Sequence, residues 1–283
     1  MFSVIISGSD GFIGKHLISK LSQKKIKLIK MGKNFGDIAS YNTWKKLPKA
    51  NVLVHLAAKT FVPESWKKPK LFYNSNVTGT KLALQYCKKH NAKIIFLSSY
   101  MYGNTKKLPT DEKNKIVVNN PLAMTKKKAE KLCKTYAKRY KIKTIILRPS
   151  NVFGPNQKNH WLVPDMIKKI KKKEITVNNL NIKRDMIFVD DLVDAIIKCI
   201  NLDYNFEVIN VGSGKTHSIK SIIKTLQEIT NKKIFITSKN LIRKNEIMKT
   251  QLDIKKAKKL LKWAPKWSMK KALKYTIKKK RIY

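Results

Sequence analysis

Seven residues near the start carry the first recognisable chemistry. Gly8-Ser9-Asp10-Gly11-Phe12-Ile13-Gly14 is a G-x-x-G-x-x-G run set between a β-branched stretch and an amphipathic one. Glycines at this spacing permit a tight turn, close approach of backbone to a phosphate, and close packing of helix on strand. Such a turn aims backbone N–H groups and the positive end of a helix at an anion, which suits the pyrophosphate of a dinucleotide. Gly8, Gly11, Phe12, Ile13 and Gly14 are the residues expected to hold it. The end of the following strand meets the adenosine ribose in such sites, where a carboxylate suits a 2′-hydroxyl and a cation suits a 2′-phosphate. Met31-Gly32-Lys33 offers no acid and one lysine, in a chain full of lysine, so NAD and NADP both stay open.

Other constellations fail on spacing. Gly214-Lys215-Thr216 ends like a P-loop, but the glycine required five positions earlier is Ile209. The five histidines (His16, His55, His90, His160, His217) show no metal-ligand spacing, and no metal is expected. Cys87, Cys133 and Cys199 are an odd number without a C-x-x-C pair, which fits reduced thiols packed on helices.

The elements that must position the glycine turn are those of a doubly wound α/β sheet. Short β-branched runs alternate with amphipathic ones through the first half, giving expected strands near Ser3–Ser7, Ile26–Met31, Val52–Leu56, Lys93–Ser98 and Lys143–Arg148. Helices are expected at about Gly11–Gln23, Pro69–His90 and Pro121–Tyr140, the last with proline in its first turn. Beyond Arg148 the pattern loosens into Pro- and Asn-containing loops, with helices near Leu162–Lys173, Asp190–Ile200, Ser218–Thr230 and Ser268–Lys279. The expected organisation is a dinucleotide-binding parallel-sheet domain over 1–148, with 187–212 returning to it, and a smaller substrate-binding lobe over 149–283.

At 283 residues and 42% hydrophobic content the chain can bury a substantial core. Its longest apolar stretches are strand-sized, so no membrane insertion is expected, and the N-terminus shows no basic leader or cleavage site, so a cytoplasmic location is expected. The net charge of +46 invites a nucleic-acid reading. Arginine, the usual base reader, stands at only five positions among 63 basic residues, and the lysines spread over helix faces along the whole chain. The charge is therefore read as a solvated lysine coat, one that also speeds the capture of polyanionic small substrates.

Taken in order along the chain, the motifs resemble those of the extended short-chain dehydrogenase/reductase family, in its nucleotide-sugar epimerase and dehydratase branch. After the glycine turn come Gly36-Asp37-Ile38, similar to the family's adenine-contacting turn, and His55-Leu56-Ala57-Ala58, similar to the strand end beside the coenzyme. Asn76-Val77-Thr78-Gly79-Thr80 resembles the N-V-x-G-T helix, whose asparagine braces the central strands. Leu147–Pro155 resembles the segment leading to the sugar site, Arg184–Asp191 the R-D-x-x-x-V-x-D element, and Asn210–Gly214 the N-x-G-S-G strand end.

That resemblance implies NAD or NADP as cofactor, a nucleotide-diphosphate sugar as substrate, and a homodimer through the helices at Pro69–His90 and Lys126–Lys128. Lys33, Asp37, Ile38, Leu56, Ala57, Ala58, Asn76, Ser98 and Lys126 join the glycine turn as implied coenzyme contacts. Val62, Ser65, Asn151 and Arg184 are the implied substrate contacts. Ser98-Ser99-Tyr100-Met101-Tyr102-Gly103 resembles the S-S-x-V-Y-G strand end, with Ser99 in the catalytic serine position. The family's tyrosine and lysine follow in N-P-Y-x-x-S-K; this chain reads Asn120-Pro121-Leu122-Ala123-Met124-Thr125-Lys126. Lys126 keeps the lysine position, but Leu122 stands where the tyrosine should be, and leucine neither gives nor takes a proton. Tyr100, next to Ser99, is the phenol that position offers instead. Tyr100-Met101 also occupies the place of the dehydratases' Asp-Glu pair, which leaves 4-epimerisation and keto-reduction as the expected chemistries, beside an inactive binding relative.

Overall fold

The computed structural model describes residues 1–105, 107–170, 172–243 and 246–279. In chain order the elements are β1 (Ser3–Ser7), α1 (Phe12–Leu21), β2 (Lys27–Met31), α2 (Tyr41–Lys45), β3 (Val52–His55), α3 (Val62–Lys67), α4 (Pro69–Tyr73), α5 (Gly79–His90), β4 (Lys93–Leu97), α6 (Pro121–Tyr140) and β5 (Thr144–Pro149). There follow β6 (Asn151–Phe153), α7 (Leu162–Ile170), β7 (Glu174–Val177), β8 (Lys183–Phe188), α8 (Val189–Asn201), β9 (Phe206–Val211), β10 (Thr216–Ser218), α9 (Ile219–Thr230), β11 (Phe235–Ser238), α10 (Lys255–Leu261) and α11 (Met269–Lys279). Two compact units result. The first joins Met1–Gly103, Glu112–Pro149 and Val193–Ile209; the second joins Asn104–Asp111, Ser150–Leu192 and the chain from Asn210 onward.

A six-stranded sheet of order β2-β1-β3-β4-β5-β9 forms the centre of the first unit. β1 lies between β2 and β3 and runs parallel to both, the switch of direction at which α/β sheets open a crevice for ligands. All five residues of β1 are buried, as a strand covered on both faces requires. On one face Ile5, Leu53, Ile94, Phe96 and Ile146 from the strands pack with Ala83, Leu84 and Cys87 of α5 and Ala129 and Cys133 of α6. Ile94 and Phe96 stand two apart on β4 and so share one face of the sheet, and Ile5 and Leu53 are register partners on β1 and β3. The three cysteines are free and buried, on α5, α6 and α8.

Register fixes where the strands stop. Ser7 stands opposite Met31 on one side and His55 on the other, so β1, β2 and β3 end level and Gly8, Gly32 and Leu56 are the next residues out. His55 is locked into this end of the sheet. Its Nδ1 lies 2.8 Å from Ser7 Oγ and its Nε2 3.2 Å from Thr80 Oγ1, whose own hydroxyl donates to Asn76 O at 2.6 Å. Thr80 therefore accepts from Nε2–H and Ser7 donates to Nδ1, which defines a neutral tautomer. Burial, helped by Lys126, lowers the His55 pKa from 6.5 to about 3.

The folded chain thus holds this imidazole neutral where the unfolded chain protonates it. Stability is therefore expected to fall as pH drops from 6.5 toward about 3, with His55 alone contributing a slope of about 1.4 kcal/mol per pH unit. Denaturant midpoints measured across that range in the native chain and in His55→Asn check this. A variant with the native slope would assign the acid sensitivity to other groups.

In the second unit β8 sits between β10, antiparallel to it, and β6, parallel to it, while β11 pairs with β7. Asp185 on β8 is fully buried and accepts from the backbone N–H of Ser213, Gly214 and Leu252 and from the hydroxyls of Ser150 and Ser213. Burial raises its pKa against the pull of those donors. One carboxylate thereby ties β8 to the loops around it. Asp191 accepts in the same way from the N–H groups of Lys266 and Trp267, and Trp263 Nε1 donates to the Asp191 carbonyl. The region expected to be loops after Arg148 thus contains β6 to β8. The helix expected over Leu162–Lys173 ends at Ile170, with Lys171 outside the described residues. The Pro69–His90 run holds a π turn at Asn74–Thr78 between α4 and α5.

Candidate active site

The glycine turn leaves β1 with Gly8 at φ 73°, a left-handed conformation that favours glycine. A Cβ on Gly8 would lie 2.8 Å from Ala57 N, and one on Gly14 would lie 2.3 Å from Gly8 O. The first contact brings the turn against the residues after β3; the second lets α1 start directly beside it. Gly11 is the N-cap of α1, with no side chain capping the helix and no acid in its first turn. The first-turn N–H groups of Phe12, Ile13 and Gly14 are left for an external acceptor, the arrangement that binds phosphate. Asp10 turns instead toward β2, where its carboxylate accepts from Lys33 N at 2.8 Å.

Of the other expected coenzyme residues, Leu56 and Ala57 lie directly against this turn at Gly8. Leu56, Ala57 and Ala58 follow β3, half-buried; Asp37 is exposed and Ile38 packs against Gly79. Asn76 is buried and works as a clamp: Oδ1 accepts from Lys59 N at 2.8 Å, while Nδ2 donates to Lys59 O at 3.0 Å and to Thr125 Oγ1 at 2.9 Å. It fastens the strand end after β3 to α6.

α6 begins where Asn120 accepts from Ala123 N at 2.9 Å, with Pro121 in the first turn. Leu122, Thr125 and Lys126 are all buried on its inward face. Lys126 Nζ donates to Leu97 O at 2.7 Å and lies over the Phe96 ring. Burial lowers its pKa to about 8, with Glu130 pulling the other way. One residue beyond Leu97 is Ser98, whose Oγ is buried and has no hydrogen-bond partner among the described residues; Ser99 follows, half-buried. Tyr100 is half-buried, with its hydroxyl donating to Gly103 O at 2.9 Å. The structure thus gathers Ser98, Lys126, Thr125 and Asn76 at the ends of β3 and β4, with Leu122 one helical turn before Lys126.

Of the expected substrate residues, Ser65 is fully buried and donates to Val62 O at 2.7 Å, while Val62 is exposed. In the second unit Asn151 donates to Asp185 O at 3.0 Å. Arg184 pairs with Glu246 at 2.6 Å and donates to Ile247 O, so its fork already holds partners inside its own unit. Two features escaped the sequence. Gln157 Oε1 is, with Ser98 Oγ, a buried polar atom without a partner among the described residues; the glutamine follows the Leu147–Pro155 motif, and that proximity was its only signal. The other is Asp10, which reads from sequence as filler between glycines. Among the described residues no cluster of His, Cys, Asp and Glu could hold a metal ion, and no helix is long and apolar enough to cross a membrane.

A parallel sheet with a glycine turn at its switch point, an uncapped helix start and a buried lysine beside a strand-end serine define a doubly wound α/β protein of the dinucleotide-binding class. The chain belongs to the NAD dependent epimerase/dehydratase family, matched over residues 4–212. It is similar to UDP-glucuronate 4-epimerase of Thermodesulfobacterium geofontis, 32% identical over 250 residues, 85% of this chain and 76% of the relative. It is also similar to GDP-6-deoxy-D-mannose reductase of Pseudomonas aeruginosa, 27% identical over 80% of this chain and 79% of the relative. Among solved structures, UDP-glucose 4-epimerase of Thermotoga maritima, crystallised with UDP-glucose, superposes with a TM-score of 0.94 at 27% identity, covering 99% of each chain.

Proposed function

We propose that the chain is an NAD(P)-dependent nucleotide-sugar 4-epimerase or ketoreductase acting by reversible hydride transfer on a nucleoside-diphosphate hexose, with Leu122 in place of the proton-exchanging tyrosine. The observation that carries this reading is the buried, partnerless hydroxyl of Ser98 one residue beyond the carbonyl that holds Lys126. A buried hydroxyl left unpaired costs stability, which ligand contact at that point removes. The residues suit a nicotinamide dinucleotide on two counts: a Cβ would fill the cradle at Gly14, and the start of α1 is left uncapped. Such a coenzyme, when bound, supplies the hydride acceptor and donor.

Each side chain then has a role. The glycine turn and the first N–H groups of α1 hold the pyrophosphate. Lys126 of α6, its ammonium held at the end of β4, takes the ribose of the coenzyme, and its lowered pKa lets it exchange a proton near neutral pH. Ser99, with Ser98, donates to the sugar oxygen, and Tyr100 is the phenol available once it leaves the Gly103 carbonyl. In the second unit Asn151 and Arg184 take the diphosphate, the first unit being the coenzyme domain and the second the substrate lobe. A homodimer through α5 and α6 belongs to the same proposal.

Leu122 favours one other reading, a relative that keeps coenzyme and sugar nucleotide but turns over slowly or not at all. Mixing the purified protein with NAD(H) or NADP(H) and a panel of UDP-, GDP- and dTDP-hexoses and their 4-keto forms separates the two. Consumption of reduced coenzyme or appearance of the epimeric sugar supports the enzyme; tight binding without either supports the binding protein; no binding removes both.

A further inference from the structure

We propose that Asp10 supplies the ribose-recognising carboxylate that the end of β2 lacks, and that it thereby makes the chain prefer NAD to NADP. The inference rests on the dinucleotide reading of the glycine turn. Because β1 and β2 end level, the turn folds over the first residues past β2: Gly8 N donates to Met31 O at 2.9 Å, and Asp10 Oδ2 accepts from Lys33 N at 2.8 Å. Ser9 Oγ reaches the other oxygen, Oδ1, at 3.3 Å. A Cβ on Gly32 would stand 2.1 Å from Asp10 Oδ2, so the carboxylate occupies the space in front of that glycine. Asp10 itself is exposed, which leaves further lone pairs of the two oxygens facing solvent.

An acid in this place is normally read from the residue that terminates the second strand, and here the strand terminates in Met31 and Gly32. The carboxylate instead arrives from the neighbouring loop and is anchored by backbone, so its position does not depend on a long, mobile side chain. It accepts hydrogen bonds from a 2′-hydroxyl and repels a 2′-phosphate, whose charge has the same sign. Lys33, exposed beside it, works in the opposite sense, as does Lys30 on β2. Asp10 prevails because it is fixed at the strand end, while each lysine cation sits at the tip of a flexible stem in water.

Calorimetric titration of the purified chain with NAD+ and with NADP+ tests the assignment, with thermal melting to confirm that each variant is folded. NAD+ is expected to bind at least about tenfold more tightly, the value of a hydrogen bond to a charged acceptor. Asp10→Asn keeps an acceptor for Lys33 N but removes the charge, and is expected to bring the two affinities together or invert them. Gly32→Ala, which pushes the carboxylate aside without deleting it, is expected to move the ratio the same way and serves if the first variant folds poorly. Equal affinities or tighter NADP+ binding in the native chain, or a ratio unchanged in both variants, would overturn the role of Asp10 and leave the proposed function standing. A folded chain that binds neither coenzyme overturns the dinucleotide reading and this inference together.

Discussion

Leu122→Tyr is expected to raise kcat for hydride transfer to a 4-keto nucleotide sugar by about 10²-fold or more, with little change in KM, since positioned proton transfer contributes at least that much. Leu122 is buried in the first turn of α6, and Lys126 lies four residues on, along the same helix face. A phenol at 122 would thus stand beside a buried cationic side chain, which favours the phenolate and draws the proton affinity toward neutrality. The side chains around position 122 are already held in place: Asn76 donates to Thr125 Oγ1, and Lys126 donates to Leu97 O. Single-turnover absorbance measurements of coenzyme oxidation report the chemical step without interference from product release. An unchanged rate in a folded variant would mean that the native chain moves the proton by another group, and Tyr100 becomes the first residue to replace.

The second large effect concerns stability. Arg148, at the end of β5, donates from Nε to Glu130 Oε1 at 2.9 Å and from Nη2 to Oε2 at 2.6 Å, and its Nη1 reaches the Tyr102 hydroxyl at 2.9 Å. Both side chains of the ion pair are less than a tenth exposed, at 7% and 8%. Burial raises the Tyr102 pKa to about 12, so the phenol stays neutral and accepts from the guanidinium. Removing one partner strands a buried charge, and Glu130→Ala is expected to destabilise the chain by about 3–5 kcal/mol. Replacing both, Glu130→Leu with Arg148→Met, is expected to recover most of that loss, because two apolar side chains carry no desolvation penalty. Urea unfolding of the native, single and double variants provides the comparison. A single variant no less stable than the double would show that water reaches the pair.

The legible part of this molecule was the part built from long periodic runs. β1 matches its expectation residue for residue, as does α6: a short β-branched run set just before a glycine turn favours a strand, and Pro121 suits the first turn of a helix. The second unit resisted for a physical reason. β6 and β10 have three residues each, too few for an alternation to register, and what orders them is the hub at Asp185, whose five donors come from positions 150, 213, 214 and 252. No local pattern encodes such a convergence. At the site, spacing sufficed to find the glycine turn, which the structure places between β1 and α1. The lone hydroxyl of Ser98, the partners already held by Arg184 and the reach of Asp10 to Lys33 depend on distances between elements, which sequence alone does not contain.

The way the carboxylates are used has a consequence for the protein in solution. Of only 17 acidic residues, Asp10, Glu130, Asp185 and Asp191 are committed to backbone or internal partners. Glu130, Asp185 and Asp191 are buried and organise the interior, Asp10 is tied to a backbone N–H at the surface, and among the described residues none of Asp10, Glu130 and Asp185 forms an ion pair with a lysine. The folded chain therefore draws its neutralising charge from dissolved anions, and its cohesion is shared with the buffer. At about 0.01 M salt, where fields extend some 30 Å, the lysines repel one another across most of the molecule; at about 0.15 M, where they fade within about 8 Å, each answers mainly to its neighbours.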